Sequence, residues 1–473
     1  MVRDMTHAPI ALPIALRDPA DLFACLAMRP GAMLLDGAAA DTGRARWSYI
    51  VDDPVGWIES DGREVHVDGR AVTCDPFTAL ERALARYRRE ILPGLPPFQG
   101  GAVGFLGYEL GGWLERLPPP RPCGLKLPDL AIGLYDTVAA FDHATAEAWV
   151  IGPPDRARDF AARLNSLQCA FPADAGGSLL APPGWRAEQH RDGYAAAVER
   201  ILDYIRAGDI YQANFTQRFL GRLAPGVQPW DVYRRLRPRT AAPFSAFLNV
   251  GHGRCIASGS PERFLRLEAG GRIETRPIKG TRPRGATPEQ DEALAAQLLG
   301  SEKDRAENLM IVDLLRNDLS RVAEMGSVRV PSLCALESYR TVHHLTSVVE
   351  ARLRPGLGPV DLLRAGFPGG SITGAPKIRA MEIIHELEPA RRGPYCGSVA
   401  WIGWDGAMDS SIVIRTLAMA DGWVQAQAGG GIVADSDPMA EYEESLTKAR
   451  ALLLALDPAM AWPPALIAET EAA

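Results

Sequence analysis

The chain has 473 residues, 47% hydrophobic and 23% charged, with a formal net charge of −7. This is the composition of a soluble globular protein, long enough for two domains or one large composite core, with disorder expected only at the ends. The modest negative balance leaves no electrostatic footprint for nucleic acid or an anionic membrane, so any bound anion has to be met by local cations.

Seven widely spaced cysteines without a C-x-x-C pair predict neither a disulfide framework nor a zinc site, and a cytoplasmic, reducing setting fits them. No apolar run of about 20 residues and no export signal is expected, hence no membrane partner. A helix is predicted around Ala20–Met28, then alternating segments such as Glu64–Cys74, with Asp-Gly at 61–62 and 68–69 as hairpin turns. Thr78–Glu90 has a helical pattern that L-P-G-L-P-P at 92–97 breaks. The segment F-Q-G-G-A-V-G-F-L-G-Y-E at 98–109 has a partial echo in G-S-V-A-W-I-G-W-D at 397–405, short enough for two glycine-rich strands to give it by chance. The Pro/Gly/Ala-rich zone Phe171–Gly184 reads as a linker between an N-terminal region, 1–180, and a second region, 187–453, with a tail at 454–473. Further helices are expected over Arg191–Ala207, from an N-cap at Ser301 through E-K-D-R-A-E-N-L-M-I-V-D-L-L-R-N-D, over Ala375–Leu387 and over Met439–Leu456. Strands are expected over Ile210–Leu220, Phe244–Asn249, Phe264–Lys279, Tyr339–Leu353, Ser410–Met419 and Trp423–Ala428. The pattern is α+β, without βαβ units.

Within T-R-P-I-K-G-T-R-P-R-G, Lys279 would share a strand face with Ile273, Thr275 and Pro277, and Pro277 argues for a sheet edge. A lysine there either snorkels to water or, buried near Arg276 and Arg282, loses its proton more easily and serves as nucleophile or base. Glu262, in S-P-E-R-F, is a candidate acid. Glu441, Glu444 and Lys448 fall at about 0°, −60° and −20° on a helical wheel and share one face. Such a stripe is commonly just solvated, but G-G-G at 429–431 precedes it and offers bare backbone N–H groups to an anion. Arg415, on an apolar face with Val413 and Leu417, calls for a carboxylate partner, internal or from a ligand. Asp304 and Glu307, one turn apart, form a second acidic pair; the two pairs could hold a Mg²⁺ that keeps several waters, or could engage arginines in salt bridges. His343 and His344 fall on opposite strand faces, one of them a candidate proton carrier.

Taken together and in order, S-P-E-R-F, R-P-I-K-G-T-R-P-R-G, D-R-A-E-N-L-M-I-V-D-L-L-R-N-D-L, V-H-H-L-T-S, F-P-G-G-S-I-T-G-A-P-K, G-P-Y-C-G-S-V-A-W-I-G, I-R-T-L, Q-A-G-G-G-I-V and E-Y-E-E-S-L-T-K-A resemble the chorismate-utilising enzymes. The likeness spans nearly all of 187–453 and is weaker at M-L-L-D-G, R-W-S-Y-I and 98–109. It implies the fold of anthranilate synthase component I, an α+β sandwich of two packed antiparallel sheets with helices outside. It implies that Glu307 and Glu444 bind Mg²⁺ with Asp304 and Glu441 beside them. Arg415, Lys448 and the Gly431 backbone would hold substrate carboxylates, and Tyr395, Thr281 and Ser371 would line the pocket. His344 matches the active-site histidine, Glu262 the general acid, and Lys279 the lysine that distinguishes the aminodeoxychorismate branch, which leads to para-aminobenzoate and folate. Anthranilate-forming relatives read P-I-A-G-T there, and the water-activating lysine of isochorismate- and salicylate-forming relatives falls at Ala213. Chorismate would be the substrate. Ammonia would come from a separate glutamine amidotransferase subunit, because no cysteine here lies in a G-x-C-x-G elbow. Relatives with a tryptophan pocket carry Ser after L-L-x; Gly37 follows Leu34, Leu35 and Asp36 here, which argues against tryptophan binding. The alternatives are an anthranilate-forming enzyme and a catalytically idle subunit that binds an aromatic ligand and regulates a partner; retention of both acids, the lysine and the cations argues against the second.

Overall fold

Segments such as Leu130–Tyr135 and Val138–Asp142 are buried along their whole length. A strand buried on both faces needs a layer on each side of its sheet. The structure, a computed structural model describing residues 8–37, 46–87, 91–122, 125–167, 176–339, 342–464 and 467–468, meets that need with two large sheets packed together and helices outside both. Among the described residues thirteen strands form the first sheet and twelve the second, with antiparallel pairing except between Arg186–Ala187 and Ile467–Ala468. The layer between the sheets joins Met33, Tyr49, Val138 and Leu248 of the first to Val103, Phe105, Ala131 and Val399 of the second. Helices Pro229–Thr240 and Pro438–Leu456 close the outer face of the first sheet, and Pro76–Ala85, Glu302–Ser320 and Pro359–Gly366 that of the second. The expected sandwich is the observed fold.

Both sheets draw strands from either side of the expected boundary at 180. In the first, Met33–Asp36 pairs with Phe244–Asn249; in the second, Gly101–Leu106 pairs with Ser398–Gly403. The latter are the two echoing segments, and they lie side by side with Leu106 opposite Ser398 and Gly101 opposite Gly403. A Cβ at Gly101 would come within 1.9 Å of the Ile402 carbonyl oxygen, so close strand approach accounts for glycine there. Residues 171–175 of the expected linker lie outside the described residues, as do 88–90 of the expected helix and 340–341 of the expected strand.

Three expected strands differ from the observed ones. The run Phe264–Lys279 is divided into Arg263–Leu267, Arg272–Thr275 and Ile278–Pro283, the last two pairing with successive parts of Val342–Arg352. Ser410–Met419 is not one strand: Met408–Ile412 belongs to the second sheet, Thr416–Ala420 to the first, and 413–415 crosses between them. Trp423–Ile432 runs through the G-G-G triplet instead of ending there, because the bare Gly429 lets its partner come close; a Cβ there would sit 2.0 Å from the Phe215 carbonyl oxygen. Cys25 is disulfide-bonded, against the expectation of reduced thiols, while Cys74, Cys255, Cys334 and Cys396 are free. Among the described residues no helix is long and apolar enough to cross a membrane.

Candidate active site

Pro277 cannot donate a ladder hydrogen bond, and Ile278–Pro283 lies at the edge of the second sheet, as that proline predicts. Between Lys279 and Thr281 the register with Val342–Arg352 slips at Gly280, whose φ of 74° suits glycine. A Cβ at Gly280 would lie 2.7 Å from Leu298 Cδ1 and 2.9 Å from Asp304 Cγ, so the bulge fits only a bare α-carbon. The half-buried Lys279 puts Nζ 3.5 Å from the Ser371 carbonyl oxygen, in reach of Glu262 and Glu307. Burial lowers its pKa and Lys448 adds to the effect, against the opposing pull of Glu307, Glu262 and Glu444. Glu262 is 6% exposed, and burial pushes it up to about 7 in spite of Ser371, Lys279 and the Ile278 main chain. An amine that loses its proton more easily and an acid that keeps its proton longer thus stand together.

The two acidic pairs come from the first two turns of two helices, Asp304 and Glu441 in the first turn and Glu307 and Glu444 in the next. Ser301 caps Glu302–Ser320 by accepting from the Asp304 N–H at 3.2 Å, and Asp437 caps Pro438–Leu456. Glu441 is buried, accepts from Ser436 Oγ at 2.7 Å, and lies 3.8 Å from Lys303 Nζ. Glu444 pairs with Lys448 at 2.6 Å, and Lys448 also donates to the Gly429 carbonyl at 3.0 Å. Desolvation raises Glu307 and Glu441, and neighbouring carboxylates raise them further; desolvation also works on Glu444, but Lys448, Lys303 and Lys279 hold it low. Asp304 is turned aside to Arg282, 3.2 Å away. The glycine facing the cluster is Gly430, where a Cβ would lie 3.1 Å from Glu441 Oε2 and 3.3 Å from Lys448 Nζ; at Gly431 it would meet Gln212. Among the described residues no three His, Cys, Asp or Glu groups converge to cage a cation alone. Protein Mg²⁺ sites commonly use only one or two carboxylates plus waters and an anionic ligand, and the hard oxygen donors beside a glycine cradle here would suit that mode.

Arg415 sits in the left-handed region, φ 50°, where the chain passes from one sheet to the other. No described residue pairs with its half-buried guanidinium, whose pKa burial lowers. A desolvated cation without a partner calls for an anion. Tyr395 is buried next to this crossing, which the Cys396 N–H ties by donating to the Val413 carbonyl at 2.8 Å. Thr281 is directly opposite His344 in the strand register, Oγ1 2.9 Å from Nδ1. His343 is engaged elsewhere, between Ser338 at 2.7 Å and Asp291 at 2.9 Å. Lys303 and Ser436 are not singled out by the sequence, and within the G-G-G triplet the member that faces the acids is Gly430 and not Gly431; Lys303, four residues before Glu307, carries a legible signal as a helix neighbour. A cleft of about 480 Å³ lined by Gly37, Tyr49 and Trp401, and one of about 280 Å³ beside Tyr108 and Trp113, contain none of these groups.

Residues 35–454 match the family described as chorismate binding enzyme. The chain is 44% identical to aminodeoxychorismate synthase component 1 of Klebsiella aerogenes over 96% of its own length and 100% of that protein's. It is 46% identical to anthranilate synthase component 1 of Thermus thermophilus over 83% and 85% of the two chains. The crystal structure of anthranilate synthase component I from Streptococcus pneumoniae superposes with a TM-score of 0.77 at 33% identity, covering 86% of this chain and 92% of that one. The chain belongs to the chorismate binding enzymes, and chorismate is the compound on which it acts.

Proposed function

We propose that this protein is the chorismate-aminating component of an aminodeoxychorismate synthase, forming 4-amino-4-deoxychorismate through a bond to Lys279. The observation that carries the reading is the amine of Lys279 beside the buried acid Glu262, since identities of 44% and 46% to the two kinds of relative do not separate them.

Hydroxide is a poor leaving group, so loss of the C4 hydroxyl requires a proton, which Glu262 gives. Lys279 Nζ forms a bond to C2, both conjugated ring double bonds shift, and the C4–O bond breaks with departure of water. Ammonia then bonds to C4, both double bonds shift back, the C2–N bond breaks, and Lys279 leaves as the free amine while the pyruvate unit stays on the ring. Splitting one displacement into two lowers each barrier. Arg415 and Lys448 meet the carboxylates, Tyr395, Thr281 and Ser371 wall the ring, and His344 takes the hydrogen-bonded position opposite Thr281. Glu307 and Glu444 would hold Mg²⁺ with Glu441 beside them, and the ion when bound supplies positive charge for the ring carboxylate. Asp304 supports the site through Arg282. Ammonia is delivered by a separate glutamine amidotransferase subunit, in keeping with the name "component 1" borne by the relatives.

The test is product identity. Given chorismate, Mg²⁺ and an ammonium salt, the chain should yield a product that keeps the enolpyruvyl group; release of pyruvate with anthranilate would instead establish the anthranilate-forming reading.

A further inference from the structure

Lys303 belongs to none of the roles assigned above, yet it stands between the two acidic helices. It leaves the first turn of Glu302–Ser320 and brings Nζ to 3.8 Å from Glu441 Oε1 on the other helix. Its charge helps to hold down Glu307, Glu441 and Glu444 alike. The two other lysines of the cluster are anchored, Lys448 to Glu444 and the Gly429 carbonyl, Lys279 to the Ser371 carbonyl. Lys303 has this one long ion pair among the described residues, and 48% of its side chain is exposed. It can therefore withdraw into water without breaking another contact.

We propose that Lys303 is a displaceable counter-ion, which lies between Glu307 and the Glu441–Glu444 face while the divalent site is empty and swings to solvent when the cation enters. The proposal rests on the metal reading above. Like-charged carboxylates on two converging helix ends repel each other, and a tethered ammonium keeps them together until a doubly charged ion replaces it. The same lysine competes with that ion, so it weakens metal binding until the substrate carboxylate adds a further ligand.

The test uses Mn²⁺ as the probe, with free Mn²⁺ read by electron paramagnetic resonance in the absence of chorismate, for wild type, Lys303→Met and Lys303→Arg. Lys303→Met should bind Mn²⁺ about fivefold more tightly, the factor a unit charge a few ångströms away is worth in a water-like medium, and added salt should shrink the gain. Lys303→Arg should keep the wild-type affinity. Acetylation of Lys303 by acetic anhydride, read by peptide mass spectrometry, should speed up when Mg²⁺ is added. Equal or weaker Mn²⁺ binding by a folded Lys303→Met protein beside normal wild-type binding would overturn the role of the lysine and leave the metal reading intact. Failure of the wild type to bind Mn²⁺ would remove the metal reading and this proposal with it.

Discussion

The ammonium group of Lys279 lies 3.5 Å from the main-chain carbonyl oxygen of Ser371, the residue whose side chain stands beside Glu262. A surface lysine can be replaced at little cost, and a carboxylate anchor can be partly rescued by arginine; a nucleophile tolerates neither change. Lys279→Ala and Lys279→Arg should each lower aminodeoxychorismate formation by about 10³-fold or more while chorismate still binds. Wild type given chorismate without ammonia should accumulate a mass adduct on the peptide carrying Lys279. Substantial turnover by Lys279→Ala without added amines would end the covalent reading.

The pH profile should bear the mark of Glu262. The acid has to be protonated, and burial places its pKa at about 7, so turnover should fall as pH rises beyond that value. Glu262→Gln should cost about 10²–10⁴-fold in kcat and remove this limb. Its folded pKa lies above the ordinary carboxyl value of 4.5, so the wild-type group favours folding at low pH and loses that contribution as pH climbs towards 7. Thermal unfolding should accordingly show Glu262→Gln gaining stability relative to wild type at pH 8 more than at pH 5.

Arg415 separates stability from function. Its half-buried charge has no partner among the described residues, so Arg415→Ala should leave the melting temperature unchanged or raise it, while KM for chorismate rises by about tenfold or more. Lysine should not restore KM, because it lacks the planar fork that grips a carboxylate. A large fall in melting temperature for Arg415→Ala would show that the guanidinium has an internal role.

For the metal, Glu307→Ala and Glu444→Ala should each abolish Mg²⁺-dependent turnover in a protein that keeps its circular dichroism. Chelation should do the same to wild type, and readdition of Mg²⁺ should reverse it. Asp304→Ala should be milder, since that carboxylate is engaged with Arg282. Normal activity of either glutamate variant would remove the proposed site.

Concerning nitrogen, the isolated chain should use ammonium salts and not glutamine, and should gain glutamine-dependent activity on mixing with an amidotransferase subunit. Glutamine consumption by the pure chain is the contrary result.

The helix faces of the site and the Ser301 cap were readable in the sequence, because Ser301 and the Glu441–Glu444–Lys448 stripe follow from local pattern, whereas the Asp437 cap was not read there. The edge position of Lys279 was readable too, from Pro277. The bends were not. Arg415 looked like a strand residue because alternation in S-S-I-V-I-R-T-L continues through a corner, and nothing local marks where a chain leaves one sheet for another. The G-G-G triplet looked like a strand end because the demand for bare α-carbons comes from Phe215 and Gln212, more than 200 residues earlier. Lys303 escaped notice because its partner Glu441 lies on another helix.

The interleaving of the two sheets has a consequence for synthesis of the chain. Met33–Asp36 finds its neighbour only when Phe244–Asn249 has been made, and Gly101–Leu106 waits for Ser398–Gly403. At about 5–20 residues per second, the N-terminal strands spend on the order of ten seconds or more outside the ribosome with open hydrogen-bonding edges. Aggregation during that interval is the hazard such a topology creates, and the chain should depend on chaperone capacity in proportion to how fast it is expressed.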